Sequence, residues 1–137
     1  MNKNDFFSET DVKNFSNITR RFDNQVAEMF TDKYIKAVIA KLRQNKNYIL
    51  ELPDVFQKIP DKMKTFDMCK LAINYNFTNI AHVPKSIQNS DEFFEYIWQE
   101  FFVPRKRLSM IHKYVLYNVC DDLFYNIKAL IDLKGME

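Results

Sequence analysis

One feature narrows the fold more than any other: the chain has a single glycine, Gly135, among 137 residues. Loops that cradle phosphate groups need glycine, because the backbone must approach the ligand without a Cβ atom. The glycine fingerprints of dinucleotide-binding and nucleoside-triphosphate-binding proteins are therefore excluded. Tight two-residue hairpins also depend on glycine, which weighs against an all-β fold.

Apolar residues recur at helical spacing through most of the chain. Hydrophobic residues make up 47% of the sequence and charged residues 28%, enough apolar surface for a packed core. The pattern predicts an all-α fold, a compact bundle of seven to nine helices. Several of these are short, and they stack like repeated helix-turn-helix units.

Several helix boundaries follow from capping residues. Thr65 and Ser90 are predicted N-caps, and Pro84 precedes a short helix at 85–88. Asp121 and its acidic neighbour open the last helix, which Gly135 ends. The prolines also predict a short helix at 54–58 and a longer one at about 105–119, with Pro104 in its first turn.

The order of these elements repeats along the chain. A capped helix, an Asn-rich turn, a proline and a short helix run from Thr31 to Asp54, and again from Thr65 to Lys85. Ser90 begins a third, shorter copy. We therefore expect one helical domain over 1–137, with an N-terminal helical region at 1–30, repeat-like units at 31–97 and a C-terminal helical hairpin at 98–137.

The second copy carries a family resemblance. Residues 64–76, KTFDMCKLAINYN, and 79–88, NIAHVPKSIQ, resemble a short helical repeat, domain of unknown function family 4116, which occurs in viruses and bacteria. The resemblance extends over about residues 31–97. It implies stacked short helices and contact with other proteins, and it carries over no catalytic residue.

Composition also bears on the setting of the protein. Residues 1–5 precede no apolar run, so we expect no secretory signal, and no stretch reaches the length of a membrane span. A cytoplasmic location, with Cys69 and Cys120 as thiols, follows as an expectation. The Asn-, Lys-, Ile- and Phe-rich composition suggests an AT-rich genome and a phage or other viral source, hence the host cytoplasm.

No constellation of catalytic or metal-binding residues emerges. His82 and His112 are the two histidines, and their separations from Cys69 and Cys120 match no zinc motif. Buried thiols with surface or capping histidines are the expected state. We expect no catalytic residue, no cofactor and no bound metal.

Charge is unevenly distributed around position 100. Residues 91–100 contain four acids and no base, and residues 101–120 contain four bases and no acid. One interpretation is local pairing, in which the acidic helix neutralises the basic turn. The other is a basic prong, Arg105, Lys106 and Arg107, that contacts an acidic protein or a phosphate backbone.

Aromatic residues just before this turn lie on more than one side of a predicted helix. Such a helix is either buried centrally in the bundle or presents a hydrophobic contact surface. The second interpretation makes Phe94, Trp98 and Phe102 hydrophobic anchors. The leading hypothesis is therefore a non-enzymatic protein-binding module, a small phage or viral protein that inhibits or modulates a host complex. Its oligomeric state is open.

Nucleic-acid binding is the alternative hypothesis. Residues 31–64 contain eight bases and four acids, and several of the bases fall in predicted turns. A basic stripe of this kind would bind a phosphate backbone through the release of counterions. Its candidate residues are Lys41, Arg43, Lys46, Lys62 and Lys64.

Overall fold

Helices form all of the regular structure in the residues that the structure describes. In this computed structural model these are residues 2–18, 37, 40, 41, 44, 53–105 and 107–136. No strand occurs among them, so the prediction of an all-α fold is confirmed. The predicted cap at Thr31, and the candidate residues Arg43, Lys46 and Lys106, lie outside the described residues.

The described α-helices vary in length from one turn to four. They are α1 (9–18), α2 (Phe66–Tyr75), α3 (Lys85–Gln88), α4 (Asp91–Ile97), α5 (Met110–Tyr117) and α6 (Asp121–Lys134). A π-helical turn, Trp98–Phe102, continues α4, and 3₁₀ turns span Lys3–Phe6, Pro53–Lys58, Asp61–Met63 and Phe77–His82. Residues 37, 40, 41 and 44 are helical as well, which gives seven α-helical stretches over the described residues. The predicted range was seven to nine.

Capping explains where most of these helices begin and end. The Thr65 hydroxyl accepts a hydrogen bond from the Met68 N–H at 3.2 Å, and the Ser90 hydroxyl accepts one from Phe93 at 3.2 Å. Both predicted N-caps are thereby confirmed. Gly135 ends α6 in the left-handed conformation, with φ of 67°, as predicted.

The predicted helix at 105–119 is shorter than expected. Pro104 follows the π-helical turn, and Arg105 donates its N–H to Phe102 O at 3.0 Å, which closes that turn. The next helix begins only at Met110, because Ser109 is its N-cap. Arg105 and Arg107 therefore lie in a loop, and they do not occupy a helix N-terminus.

The chain divides into two compact units. The central unit comprises Asn14–Val83, and the terminal unit comprises Met1–Lys13 with Pro84–Glu137. In the central unit α2 buries one face, and Asn79 donates its side-chain amide to Ala72 O at 2.8 Å, which ties the following 3₁₀ turn to the helix. The expectation of one domain in three segments stays a prediction, as does the repeat, whose first copy lies mostly outside the described residues.

The terminal unit is built around α6. Leu123, Phe124, Ile127 and Ile131 form its buried stripe. The N-terminal segment packs on this helix through an edge-to-face contact of the Phe6 ring with the Phe124 ring and a tilted contact of the Phe7 ring with the same ring. None of the described helices is long and apolar enough to cross a membrane.

Candidate functional site

The two aromatic residues of the π-helical turn stack on each other. The rings of Trp98 and Phe102 are nearly parallel, at 11°, with centroids 5.5 Å apart. The Val103 N–H donates to Trp98 O at 3.0 Å, the i to i+5 bond that defines a π-turn. Phe102 is 0% exposed and Trp98 is 9% exposed. Phe102 is thus a core residue and is not available as a surface anchor, because its ring is enclosed by the terminal unit.

Trp98 nevertheless borders a groove on the terminal unit. The groove has a volume of about 400 Å³. Its floor is apolar and largely buried, whereas its rim is exposed and includes Val103, whose side chain is 53% exposed. We call it the Trp98 groove, and its lining residues are Trp98, Phe102, Val103, Arg105, Lys134 and Met136.

The rim of the Trp98 groove is positively charged. Arg105 and Lys134 are exposed, and none of the described residues that line the groove is acidic. Neither cation forms an ion pair with any residue that the structure describes, and the same is true of exposed Arg107. The four acids of 91–100 therefore do not neutralise Arg105 or Arg107 by direct contact within the described part of the chain.

One wall of the Trp98 groove is formed by the segment that follows α6. Gly135 reverses the chain direction, and the Met136 N–H then donates to Ile131 O at 3.2 Å. The Met136 carbonyl accepts a hydrogen bond from the Leu108 N–H, also at 3.2 Å. These two bonds fix the Met136 backbone, and the buried Met136 side chain lines the groove.

His112 supports the floor from the inside. Its ring lies 4.9 Å from the Phe102 ring and is buried. The Ser109 N–H donates to Nδ1 at 2.8 Å, so Nδ1 carries the lone pair and Nε2 carries the proton that is donated to Phe101 O. Burial lowers the pKa of His112, and nearby Arg105 lowers it further, against the opposing hydrogen bond to Phe101. The imidazole is therefore neutral, and it caps α5.

A second groove on the same unit contains Phe94. Its volume is about 370 Å³, close to that of the first groove. Here the charged residues are Asp91 and Asp122, in the first turns of α4 and α6, and no base is found among the described lining residues. We call this the Phe94 groove, and its lining residues are Gln88, Asn89, Ser90, Asp91, Phe94, Asp122, Leu123, Asn126, Ala129 and Leu130. The predicted anchors Phe94 and Trp98 thus border different grooves.

The candidate nucleic-acid residues do not share one environment. The Lys64 side chain is 2% exposed, and its Nζ donates to His82 O at 2.7 Å and lies 4.5 Å from the centre of the Phe56 ring. This enclosure argues against contact between Lys64 and a phosphate backbone, and its predicted role stays a prediction. Lys41 and Lys62 are exposed, as that hypothesis requires.

Only one of the two thiols is buried, contrary to the expectation that both would be. Cys69 is buried, and burial raises the pKa of its thiol to about 12, so the nucleophilic thiolate is strongly disfavoured. Cys120 is partly exposed, and its Sγ donates to Asn89 Oδ1 at 3.0 Å. Among the described residues, no group of three or more His, Cys, Asp or Glu side chains could hold a metal ion.

Three lining residues of the Trp98 groove were not singled out from the sequence. Val103, Lys134 and Met136 come from two segments about thirty positions apart, which only the fold brings together. One signal was present: Lys134 immediately precedes the helix-ending Gly135, where the chain must turn back. Comparison with protein-family models, with curated proteins and with solved structures found no match for this chain.

Proposed function

We propose that this protein is a non-enzymatic protein-binding module and that the Trp98 groove is its contact site. The observation that carries the proposal is the combination of an apolar aromatic floor with exposed cations, Arg105 and Lys134, that have no acidic partner in the described residues. Interfaces concentrate their binding energy in such places, where an aromatic cluster is surrounded by polar residues.

The size of the groove suits a side chain better than a cofactor. A volume of about 400 Å³ lies near the lower end of the range for small-molecule sites. One or two large side chains of a partner would fill it. The exposed side chain of Val103 would extend the apolar contact beyond the groove itself.

The chemistry of the reactive residues supports binding over catalysis. The Cys69 thiol is buried and has a raised pKa, so it is a poor nucleophile. Both ring nitrogens of His112 are engaged by backbone groups, so the imidazole has no free site with which to accept a substrate proton.

The first test is an affinity pull-down with a charge-reversed groove. The bait proteins are the wild type, the variant Arg105→Glu with Lys134→Glu, and a matched control, Lys13→Glu with Lys85→Glu. The control pair is exposed on the terminal unit, outside both grooves, and it changes the net charge by the same amount. We expect one stoichiometric protein with the wild type and the control, and its loss with the groove variant.

Nuclease treatment of the lysate separates the two function hypotheses. A partner protein that survives nuclease and depends on the groove supports the proposal. Recovery of nucleic acid, with loss of proteins after nuclease, would contradict it and would support the basic stripe without Lys64. The expected setting, a cytoplasmic phage or viral protein that inhibits a host complex, stays a prediction that the identity of the partner tests.

A further inference from the structure

The described lining residues give the Trp98 groove and the Phe94 groove opposite charges, although the volumes of the two grooves are similar. The first has Arg105 and Lys134 on its rim, and the second has Asp91 and Asp122. Both have an aromatic residue in the lining. The two grooves therefore differ as docking sites in the sign of their charge, and not in their shape or apolar character.

We propose that the Trp98 groove receives an acidic segment of a partner protein, with one large apolar side chain flanked by carboxylates. This inference rests on the proposed function and specifies the chemistry of the partner. The apolar side chain would pack on Trp98 and Met136, and the flanking carboxylates would pair with Arg105 and Lys134.

The energetics of the free protein favour this occupant. Arg105 and Lys134 are exposed and form no ion pair with described residues, so an incoming carboxylate displaces no ion-pair partner from the described part of the chain. The guanidinium of Arg105 can also bind a carboxylate through two parallel hydrogen bonds. Lys134 lies in the last turn of α6, where the helix dipole favours a cation and keeps it in place.

The Phe94 groove contributes specificity. Its two aspartates would repel the same acidic segment, because like charges that meet at an interface oppose binding. One terminal unit therefore offers an acidic segment one attractive groove and one repulsive groove. A basic segment would experience the reverse preference.

The groove contains its own reporter. Trp98 is the only tryptophan in the chain, so its fluorescence is free of signals from any other indole. The probe peptides lack tryptophan: Asp-Glu-Phe-Glu-Asp, its amide isostere Asn-Gln-Phe-Gln-Asn, and Asp-Glu-Ala-Glu-Asp, which lacks the apolar anchor. Each is titrated into the full-length wild type, into Arg105→Glu with Lys134→Glu, and into the control Lys13→Glu with Lys85→Glu.

We expect the acidic phenylalanine peptide to change the Trp98 emission and to bind about tenfold more tightly than its amide isostere. Two exposed ion pairs contribute about 1 to 2 kcal/mol together, which corresponds to roughly tenfold. The groove variant should lose that factor and the control should retain it. The difference should shrink as salt is raised. Circular dichroism confirms that the variants remain helical.

Three outcomes would overturn the inference. Equal binding of the acidic and amide peptides would remove the charge argument and leave the proposed function intact. Equal binding of the alanine peptide would show contact at the rim alone. A response to dodecanoate, with none to any peptide, would assign the groove to a free fatty acid. In the last case the pull-down decides whether the proposed function also fails. It fails if the groove variant captures the same partner protein as the wild type.

Discussion

Lys64 and Arg105 belong to basic clusters that look equivalent in the sequence, yet the structure treats them in opposite ways. Lys64, in the central unit, is enclosed, with the His82 carbonyl, the Asp61 carboxylate and the Phe56 ring around its ammonium group. Arg105, in the terminal unit, is exposed and pairs with no described residue. A count of lysines and arginines therefore overstates the charge that is available to a partner.

Lys64 and Arg105 illustrate two different roles of a cationic side chain. An enclosed and hydrogen-bonded ammonium contributes to folding, and its removal leaves buried acceptors without donors. An exposed and unpaired guanidinium contributes little to folding, so its effect can appear in binding alone. Substitution of an enclosed cation should therefore cost the most stability, and substitution of an exposed cation the least.

Lys64→Ala should produce the largest loss of stability among these variants. It removes the donor to the His82 carbonyl and the contact with the Phe56 ring, and it leaves a space where the side chain packed. We expect a loss of about 2 to 3 kcal/mol in the free energy of unfolding, measured by chemical denaturation. Lys62→Ala, at an exposed site two positions away, is the matched control and should change it by less than about 0.5 kcal/mol. Equal effects would contradict the distinction.

Asp11→Ala tests whether an enclosed ion pair in the terminal unit stabilises the fold, as Lys64 does in the central unit. Asp11 accepts the Ser8 N–H at 3.2 Å and receives Lys113 Nζ at 3.3 Å. Burial raises the pKa of Asp11, but the hydrogen bonds from Ser8 and Lys113 outweigh burial, so the pKa lies below its usual value. We expect a loss of about 1 to 2 kcal/mol at neutral pH.

The pH dependence of the Asp11 contribution has a definite sign. Because the carboxylate is favoured in the folded state, the stabilisation is present above the unfolded pKa of about 4 and is lost as pH falls further. The difference in unfolding free energy between wild type and Asp11→Ala should therefore shrink below about pH 4. A constant difference down to low pH would show that the variant loses packing alone.

The folded state disfavours the protonated, cationic form of His112. Its pKa is lowered, so between the folded value and the unfolded value of about 6.5 the unfolded chain takes up a proton that the folded chain does not. The contribution of His112 to stability should be constant above about pH 7 and should fall as pH drops below about 6.5. Protonation at Nδ1 would also break the bond from the Ser109 N–H.

His112→Asn is the comparison variant, since its side-chain oxygen can accept the Ser109 N–H without titrating. Denaturation midpoints measured from pH 7.5 to 5 should slope for the wild type and much less for the variant. The same slope in both proteins would assign the effect to another group.

Arg105→Gln with Lys134→Gln should have the smallest effect on stability. Both side chains are exposed and unpaired among the described residues, so the unfolding free energy should change by less than about 0.5 kcal/mol. Affinity for the acidic peptide should nevertheless decrease by about tenfold, and the charge-reversed variant should lose at least as much because its glutamates repel the peptide. A destabilisation as large as that of Lys64→Ala would mean that these cations stabilise the fold.

The capped helices could be predicted from the sequence because each boundary depends on a few neighbouring residues. Thr65, Ser90 and Gly135 each fix a helix end through local hydrogen bonds or a local backbone angle. Reliance on local residues also explains why the predicted start of α5 is too early. Pro104 suits a first helical turn, but Ser109 and His112 form a reciprocal cap five residues later, and a histidine in that position is an unusual partner.

The site was less accessible to sequence reasoning, because exposure depends on the whole fold. Helical spacing grouped Phe94, Trp98 and Phe102 on one surface, whereas the π-turn and the core of the terminal unit distribute them between two grooves and the interior. Arg105 was found as an anomaly of charge. Lys134 could not be found in this way, because no local sequence signal connects the end of α6 with the loop after Pro104.

The single glycine also bears on the Trp98 groove, because it ends α6 immediately before the lining residue Met136. A Cβ at position 135 would meet nothing within 4 Å, so the constraint there is the left-handed backbone angle alone. Any other L-residue at 135 would raise the free energy of the turned-back tail by about 1 to 2 kcal/mol. Met136 would leave its wall more often, and the apparent affinity of the groove would fall with the closed fraction. Gly135 contacts no ligand, yet a substitution there would weaken binding, because fewer molecules would have Met136 in the groove wall.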